Sequence, residues 1–416
     1  MTLRSNPLTN HRFVRWSFLS TLSGALSGIA AAIFLISLHW VTNYRLAHPA
    51  IIWLLPLAGL AIGFAYYHYG KDIAAGNNLI LDEIHDPKNV VPFRMAPFIL
   101  AGTLVTHLFG GSAGREGTAV QMGASLSDQL SRFFRISREE RKILLTAGAG
   151  AGFGAAIGAP WAGIIFGMEV IQIGRLHLYA LFECAVASFV AFYTAVALGA
   201  PHSVYPGIIV PEFSWSQLFF VVVSGALFGL AARGFTWSTH IVERTSNRWI
   251  SYPPLKPFFG GFLLVLLYAL EGSGRYAGLG ISYIQEALTS PAVFSHAFLK
   301  SAFTSLTVAT GFKGGEFIPL VYIGTTLGSA LSLIFPVSFA LLGAVGFAAV
   351  FAGASNAPLA CSIMAIEIFG IRIAPYAFVG CFVSYVFSGH RGIYRAQRLK
   401  RPKGAELRNW LSHLFP

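Results

Sequence analysis

A single glutamate, Glu116, lies in a glycine-rich stretch of an otherwise strongly apolar chain. Residues 110–123 read GGSAGREGTAVQMG. Glycines let the backbone adopt unusual conformations and approach a ligand closely. An ionisable side chain is costly to bury in a membrane, so Glu116 is a candidate functional residue by default. A carboxylate in such a place can exchange a proton and can imitate an anion.

A second glycine-rich break, residues 311–324, contains another acid, Glu316. A helix that begins just after such a break points unpaired N–H groups and the positive end of its dipole at the gap. Helix N-termini of this kind attract anions. The two breaks therefore predict an anion site that contains carboxylates.

Composition predicts that these residues lie in an all-α integral membrane protein. Of 416 residues, 55% are hydrophobic and 11% are charged, and the mean hydropathy is +0.63. The first apolar run, 18–40, exceeds the roughly 7–15 residues of a signal-peptide core, so we expect a retained span. Several later runs are shorter than the roughly 20 residues that a full span needs. Short apolar runs interrupted by Gly and Pro predict discontinuous, tilted helices that meet near the middle of the membrane.

An internal repeat predicts two halves within one domain, 1–416. The segment 159–170, APWAGIIFGMEV, recurs 198 residues later as APLACSIMAIEI. Recurrence of small residues in packed membrane helices is the rival explanation, but Ala-Pro, Ala, Ile and Glu match in one register. We expect inverted halves at about 14–199 and 213–394, joined near 200–212, as in many transporters.

The basic residues predict topology rather than a nucleic-acid partner. They cluster in 4–15, 132–142 and 391–403, and the net charge is +12. Basic residues close to spans mark the cytoplasmic side and contact anionic lipid. We expect a bacterial inner-membrane protein with both termini in the cytoplasm and a short basic tail, 395–416, without a soluble regulatory domain.

The cysteines do not indicate a metal or redox site. Cys184, Cys361 and Cys381 lie in apolar runs without CxxC spacing or a histidine at ligand distance. We expect small core residues, and we expect no metal and no cofactor.

Three separated motifs resemble those of the CLC chloride channel and transporter family. They are GREGTAVQMG at 114–123, GEFIP at 315–319 and Tyr394 within GIYR, and their order and spacing also fit. The resemblance covers nearly the whole chain and implies a homodimer with one pathway per subunit. It implies that Glu116 is the gating glutamate, which competes with anions when deprotonated and swings aside when protonated. The anion contacts that it implies come from Gly117, Thr118, Phe317, Ile318 and Tyr394.

Three departures from the chloride-type pattern resemble the fluoride-transporting CLC-F branch. Gly76–Ile80 reads GNNLI where chloride-type members have GSGIP, so Asn77 replaces the central serine. The Asn77 amide offers two N–H donors to a small anion, although Asn-Asn is equally good turn chemistry. Thr118 replaces a proline, and Glu316 replaces a small or aliphatic residue. The resemblance implies a transporter that exports fluoride in exchange for protons, and not an enzyme.

The internal proton site of the chloride/proton exchangers is missing. Those exchangers carry two successive glutamates after the Ala-Pro-Leu-Ala-Gly stretch, whereas this chain has Glu169 followed by Val170. The fluoride branch resembles this chain in lacking the second glutamate while remaining proton-coupled. We expect Glu169 and its repeat counterpart Glu367 to be structural residues that pair with or cap helix ends.

Glu116, Glu316 and Tyr394 each have an alternative role. Glu116 could simply pair with Arg115, but adjacent residues on a helix do not face each other, so we expect no pairing. Glu316 could steady the protonated Glu116 or, when itself protonated, bind fluoride. Tyr394 could donate its phenolic O–H to the anion, or it could be an ordinary interfacial aromatic residue.

Two other functions are alternatives to fluoride/proton exchange. A chloride/proton exchanger or a passive anion channel is the closer rival. An intramembrane serine hydrolase is a remote one, because Gly110, Ser112 and Gly114 satisfy the Gly-x-Ser-x-Gly pattern. A hydrolase needs a base beside the serine, and His107, five residues earlier, does not share a helical face with Ser112.

Overall fold

The computed structural model describes residues 7–399 and residue 403, with side chains described from residue 12 onward. This part of the chain is almost entirely helical. Its α-helices, in chain order, are α1 (Pro7–Ala47), α2 (Leu55–Tyr69), α3 (Asn77–His85), α4 (Met95–Leu108), α5 (Glu116–Phe133), α6 (Arg138–Ile157), α7 (Pro160–Glu169), α8 (Leu181–Ala197), α9 (Trp215–Trp249), α10 (Leu255–Glu271), α11 (Ile281–Thr289), α12 (Phe294–Ala309), α13 (Phe317–Leu331), α14 (Phe339–Ser355), α15 (Pro358–Phe369) and α16 (Ala374–Phe387).

The helices form two sets of eight with the same order of long and short members. In each set a long helix is followed by a medium one, a nine-residue one and then five more, and a non-helical linker, 198–214, separates the sets. Thus α3 corresponds to α11, α5 to α13 and α7 to α15. The prediction of a helical fold with many short helices is confirmed, and α1 begins at Pro7 rather than near residue 14.

Only some of the helices are long enough to cross a membrane. Within the described residues, four segments have the required length and composition, namely Arg12–Ala47, Pro49–Tyr69, Leu178–Ala197 and Trp215–Trp249. Several others, including α13 and α14, are apolar but have only 15 and 17 residues. Short helices place their ends inside the fold, where unpaired N–H groups are available to a ligand.

Small residues bring the helices of each half into close contact. A methyl group added to Gly324 of α13 would clash with the carbonyl oxygen of Gly346 in α14. In the first half, a methyl group on Gly123 of α5 would clash with the carbonyl oxygen of Gly148 in α6. Such backbone approach is the usual basis of packing between membrane helices, and it fixes α5 and α13, which carry the two candidate acids at their starts.

The two repeated segments cap each other. The Glu169 carboxylate at the end of α7 accepts the N–H groups of Leu359 and Ala360 at 3.0 and 2.8 Å, at the start of α15. Reciprocally, Glu367 of α15 accepts the N–H groups of Trp161 and Ala162 at 2.9 and 2.7 Å. A carboxylate satisfies unpaired donors at a helix N-terminus and interacts favourably with its dipole. The prediction that Glu169 and Glu367 cap helix ends is confirmed.

Helix α3 joins the two basic segments to one face of the fold. Arg141, in the first turn of α6, lies 3.3 Å from the Glu83 carboxylate of α3 and 2.8 Å from Asp128. At the other end of α3, the Asn78 side chain accepts the N–H of Ala396 at 3.0 Å. We call this side, which carries both the α5–α6 connector and residues 390–399, the basic face.

The first residues of the predicted tail are packed rather than free. Arg398–Leu399 pairs in parallel with Gln172–Ile173 as a two-stranded sheet. The Gln397 amide donates to the carbonyl oxygens of Val170 and Ser355 at 2.7 and 2.8 Å. The rest of the predicted tail, apart from Lys403, lies outside the described residues.

The three cysteines are buried and free, as expected for core residues. Among the described residues, no group of three or more His, Cys, Asp or Glu side chains is placed to hold a metal ion.

Candidate anion and proton site

The two glycine-rich breaks cross each other at the centre of the site. Gly114 and Gly315 form an antiparallel bridge, in which the N–H of Gly315 donates to the Gly114 carbonyl at 2.8 Å and the reverse bond also forms. The helices α5 and α13 each begin two residues later, at Glu116 and Phe317. Their N-terminal N–H groups therefore converge from the two halves of the chain.

A third helix N-terminus, that of α3, lies against the first two. A methyl group added to Gly117 would lie 3.2 Å from the Asn77 Nδ2 atom and 3.2 Å from the Gly315 Cα atom. Asn77 is the first residue of α3, after Gly76 with a φ of 58°. The predicted residues Asn77, Gly117 and Phe317 therefore share one small region, and three helix dipoles direct positive potential into it.

Glu116 is almost completely buried in this region. Its side chain is 1% exposed, and its carboxylate accepts the backbone N–H of Arg115 at 3.2 Å and the Arg115 Nε at 3.2 Å. The expectation that Arg115 does not pair with Glu116 is wrong. Arg115 precedes the helix as its N-cap residue, so the spacing rule for residues within a helix does not apply to it.

Arg115 is itself held by the linker between the halves. Its Nη2 donates to the Ser203 hydroxyl at 3.1 Å, and the arginine is 5% exposed. The positive charge beside Glu116 is thus fixed from two sides. Sequence reasoning missed Ser203, because nothing in a proline-punctuated linker indicates that it reaches the first motif.

Thr118 is buried with its hydroxyl engaged. Its Oγ1 lies 2.7 Å from the Oγ1 of Thr103 on α4. One hydroxyl of the pair donates and the other is left with a proton for another acceptor. This contact fixes the first turn of α5 against α4.

Gln121 connects α5 to α3 and was not singled out by the sequence. Its Nε2 donates to the Gly117 carbonyl at 3.2 Å, and a methyl group on Gly76 would lie 3.2 Å from its Oε1. The amide therefore spans the first turn of α5 and the N-cap of α3. An amide at one helical turn after Gly117 is the signal that could have revealed it.

A cavity of about 500 Å³ leads from the basic face to the site. Its lining includes Asn77, Gln121, Glu316 and Tyr394. A second cavity of about 400 Å³ also borders Tyr394, and several basic residues line it, namely His240, Arg244, His390, Arg391 and Arg395. Glu116 does not line either cavity, so it lies beyond the inner end of this route.

Glu316 and Tyr394, two of the residues predicted from the sequence, both line the basic-face cavity. Glu316 is the N-cap residue of α13, is half-buried, and makes no side-chain hydrogen bond with the described residues. The Tyr394 side chain is 8% exposed and borders both cavities. Lys313, which the sequence did not single out, also lines the cavity, with its Nζ 3.9 Å from the centre of the Tyr66 ring.

Aromatic packing fixes the start of α13. The Phe317 ring contacts Phe351 edge-on, with centroids 4.6 Å apart, and Phe153, with centroids 5.5 Å apart. Both Phe317 and the next residue, Ile318, are buried at 3% and 1% exposure. Their side chains face the core, so what they can offer a ligand is the backbone N–H of the first helical turn.

The serine-hydrolase pattern does not form a catalytic pair. The Ser112 hydroxyl is bonded to Thr304 Oγ1 at 2.8 Å, and His107 Nε2 lies 3.4 Å from the Gly114 carbonyl. A base must reach the hydroxyl that it activates. These contacts engage both side chains elsewhere.

A family model described as voltage gated chloride channel matches residues 58–389. This match covers most of the chain, including the first two motifs. The chain belongs to the CLC family. Its helical fold is the CLC fold, and the protein is a membrane transport protein of this family.

Individual CLC relatives agree over nearly the whole length. A "Chloride/fluoride channel protein" of Pseudomonas syringae pv. tomato is 48% identical over 396 residues, covering 94% of this chain and 87% of that protein. The "H(+)/Cl(-) exchange transporter ClcA" of Vibrio cholerae is 30% identical, with coverage of 84% and 81%. The crystal structure of a CLC-type fluoride/proton antiporter superposes with a TM-score of 0.90 at 31% identity, covering 93% of this chain and 98% of that one.

Proposed function

We propose that this CLC protein exchanges fluoride for protons across the membrane, so that fluoride leaves as a proton enters. The observation that carries the proposal is a buried carboxylate, Glu116, at the junction of three helix N-termini, one of which begins with Asn77 instead of serine. The similarity to a chloride/fluoride channel protein and to a fluoride/proton antiporter supports the choice of fluoride.

The geometry gives a physical reason for exchange. The N–H groups that converge near Glu116 can stabilise one negative group, either its carboxylate or an anion. When Glu116 takes up a proton, its charge disappears, its pair with Arg115 weakens, and the donors become available to fluoride. When the proton leaves, the carboxylate again displaces the anion, so each ion moves in response to the other.

Asn77 is placed to recognise a small anion. Its Nδ2 faces Gly117, while its Oδ1 is buried without a hydrogen-bond partner in the described structure. The amide can donate a hydrogen bond to fluoride through Nδ2 and can accept a hydrogen bond from an O–H or N–H group through Oδ1. We propose that Asn77 binds fluoride at the end of the basic-face cavity, with Tyr394 donating its O–H nearer the surface.

Glu316 is proposed to support the gate. It lies in the cavity wall at the start of α13, where a second carboxylate repels fluoride unless it is protonated. Glu316→Gln keeps the size and removes this charge, so we expect fluoride transport to persist while the number of protons moved per fluoride falls at least several-fold. Measuring both fluxes in the same liposomes checks this, and unchanged coupling would contradict a role for Glu316.

Selectivity tests the proposed substrate. In proteoliposomes loaded with either anion, we expect fluoride efflux to exceed chloride efflux by at least tenfold, because Asn77 replaces the serine of chloride-type members. Ion-selective electrodes measure both rates. Near-equal rates would contradict the proposal and favour a chloride/proton exchanger or a passive anion channel.

The proposed setting follows from charge and family. We propose that the basic face, with both termini, lies in the cytoplasm of a bacterium, because basic residues mark that side of the inner membrane. We further propose a homodimer with one pathway in each subunit, as the resemblance to the CLC family implies.

A further inference from the structure

A second cluster of positive groups lies on the face opposite to the basic face, around the start of α11. Helix α1 has 41 residues and is about 60 Å long, so its ends lie on opposite faces. It begins near Arg15, which pairs with Glu140 on the basic face at 3.2 Å, and it ends near Arg45. Arg45, in the last turn of α1, contacts the loop 272–280 that leads into α11.

The start of α11 presents unpaired backbone donors. The N–H groups of residues 279–282 donate to no acceptor among the described residues. The flanking Gly278 and Gly280 both have positive φ, at 61° and 76°. Successive N–H groups in such a conformation form a concave nest that binds anions. In the first half, the corresponding helix is α3, which starts after Gly76 at the basic-face cavity.

Buried side-chain groups without partners face the same loop. A methyl group on Gly278 would lie 3.0 Å from Arg45 Nη2. The Arg45 Nε is buried without a hydrogen-bond partner in the described structure. The fully buried Tyr322, whose hydroxyl also has no partner there, packs its ring against Gly280.

The positive charge around this loop is not neutralised by the described protein. Lys300 is fully buried and donates to the carbonyls of Tyr276 and Gly278 at 3.0 and 2.8 Å. Within the described residues, no carboxylate lies within 4 Å of Lys300 or Arg45. The acids near the loop have other partners: Glu271 accepts the N–H of Gly274 within the loop, and Glu286 pairs with Arg275. A buried charge without a partner is strongly unfavourable, so an anion here stabilises the fold.

We propose that Arg45 and the N-terminus of α11 form a second anion-binding site for a small monovalent anion. A cavity of about 610 Å³, which Arg45, Tyr268, Gly280 and Ser282 help to line, gives access to it. Tyr268 donates to the Gly110 carbonyl at 2.8 Å, and Gly278 donates to the Gly111 carbonyl at 3.2 Å. The site is thus bonded to the glycine-rich stretch 110–123 that contains Glu116, and it loads anions on the face opposite to the basic-face cavity.

Bromide-soaked crystals of the full chain test the site without relying on transport. In the wild type we expect an anomalous peak between Arg45 and the N–H groups of residues 279–282. Arg45→Gln should lose the peak, and Arg45→Lys, which keeps the charge, should retain part of it. Arg275→Gln is the matched control. It removes a cation from the same loop, but this cation pairs with Glu286, so the bromide peak should persist in this variant. No wild-type peak, or an equal peak in Arg45→Gln, would overturn the proposal.

An anionic lipid headgroup could bind the same positive groups, so a second experiment distinguishes it from a small ion. The electron density at this position is compared between crystals grown after delipidation and crystals grown after addition of phosphatidylglycerol. Bromide binding in both supports a small-ion site, whereas phosphate density that excludes bromide overturns it in favour of lipid. In liposomes, Arg45→Gln should raise the half-saturating fluoride concentration on this face several-fold without changing the maximal rate. If fluoride is not transported but the bromide peak appears, the proposed function fails and the site stands.

Discussion

Glu116→Gln is expected to abolish proton uptake driven by a fluoride gradient, reducing it by on the order of 100-fold or more. Glutamine keeps the shape of the side chain but can neither carry the proton nor become an anion. The site then holds a permanently neutral group at the helix N-termini, so fluoride no longer alternates with a carboxylate. The measurement is the external pH change when fluoride-loaded proteoliposomes are diluted with the membrane potential clamped.

Glu169→Gln is the matched control for this prediction. It makes the same chemical change in a glutamate of the same fold, but its side chain accepts the N–H groups of Leu359 and Ala360. The amide oxygen can still accept one of these bonds, so we expect lower thermal stability and intact coupling. Proton uptake that survives in Glu116→Gln, or that is lost equally in both variants, would contradict the assignment of the gate.

Gly315→Ala is expected to reduce fluoride transport by at least tenfold. The new methyl group would lie 2.8 Å from the backbone nitrogen of Gly117 and 3.3 Å from its Cα. Backbone atoms cannot move aside as a flexible side chain can, so the N-termini of α5 and α13 must separate or the N–H of Gly117 is blocked. Either change disturbs the donors that Glu116 and fluoride share. The initial rate of fluoride efflux measures the effect.

Gly234→Ala is the control for adding a methyl group. Gly234 lies in α9, and a methyl group there meets no other atom within 4 Å. Alanine in a helix is more favourable than glycine by about 1 kcal/mol, so this variant should fold and transport normally. Normal transport by folded Gly315→Ala would show that the close crossing of the two breaks is not needed for function.

The helices and the position of Glu116 could be predicted because the signals are local. Glycine runs indicate the two breaks, but the structure begins α5 and α13 inside the breaks, at Glu116 and Phe317, rather than after them. The repeat indicated that Glu169 and Glu367 pair with or cap helix ends, and the structure shows that Glu169 caps α15.

The errors and omissions concern contacts between distant parts of the chain. The helical spacing rule excludes a pair between Arg115 and Glu116 only when both are helical, whereas Arg115 is the N-cap residue. Ser203 and Thr103 reach the site from a linker and from a neighbouring helix, across separations that no local pattern encodes. Lys300 appears in the sequence as one cation in an apolar helix, and only the fold shows that it binds the loop before α11.

The most direct test of the account is whether a fluoride gradient alone moves protons uphill through the wild-type protein. Liposomes with equal pH on both sides, loaded with fluoride and diluted into fluoride-free buffer, should take up protons as fluoride leaves. The same liposomes loaded with chloride should take up at least tenfold fewer protons. Fluoride efflux without proton uptake would contradict exchange, and equal proton uptake with chloride would contradict the assignment of fluoride as the substrate.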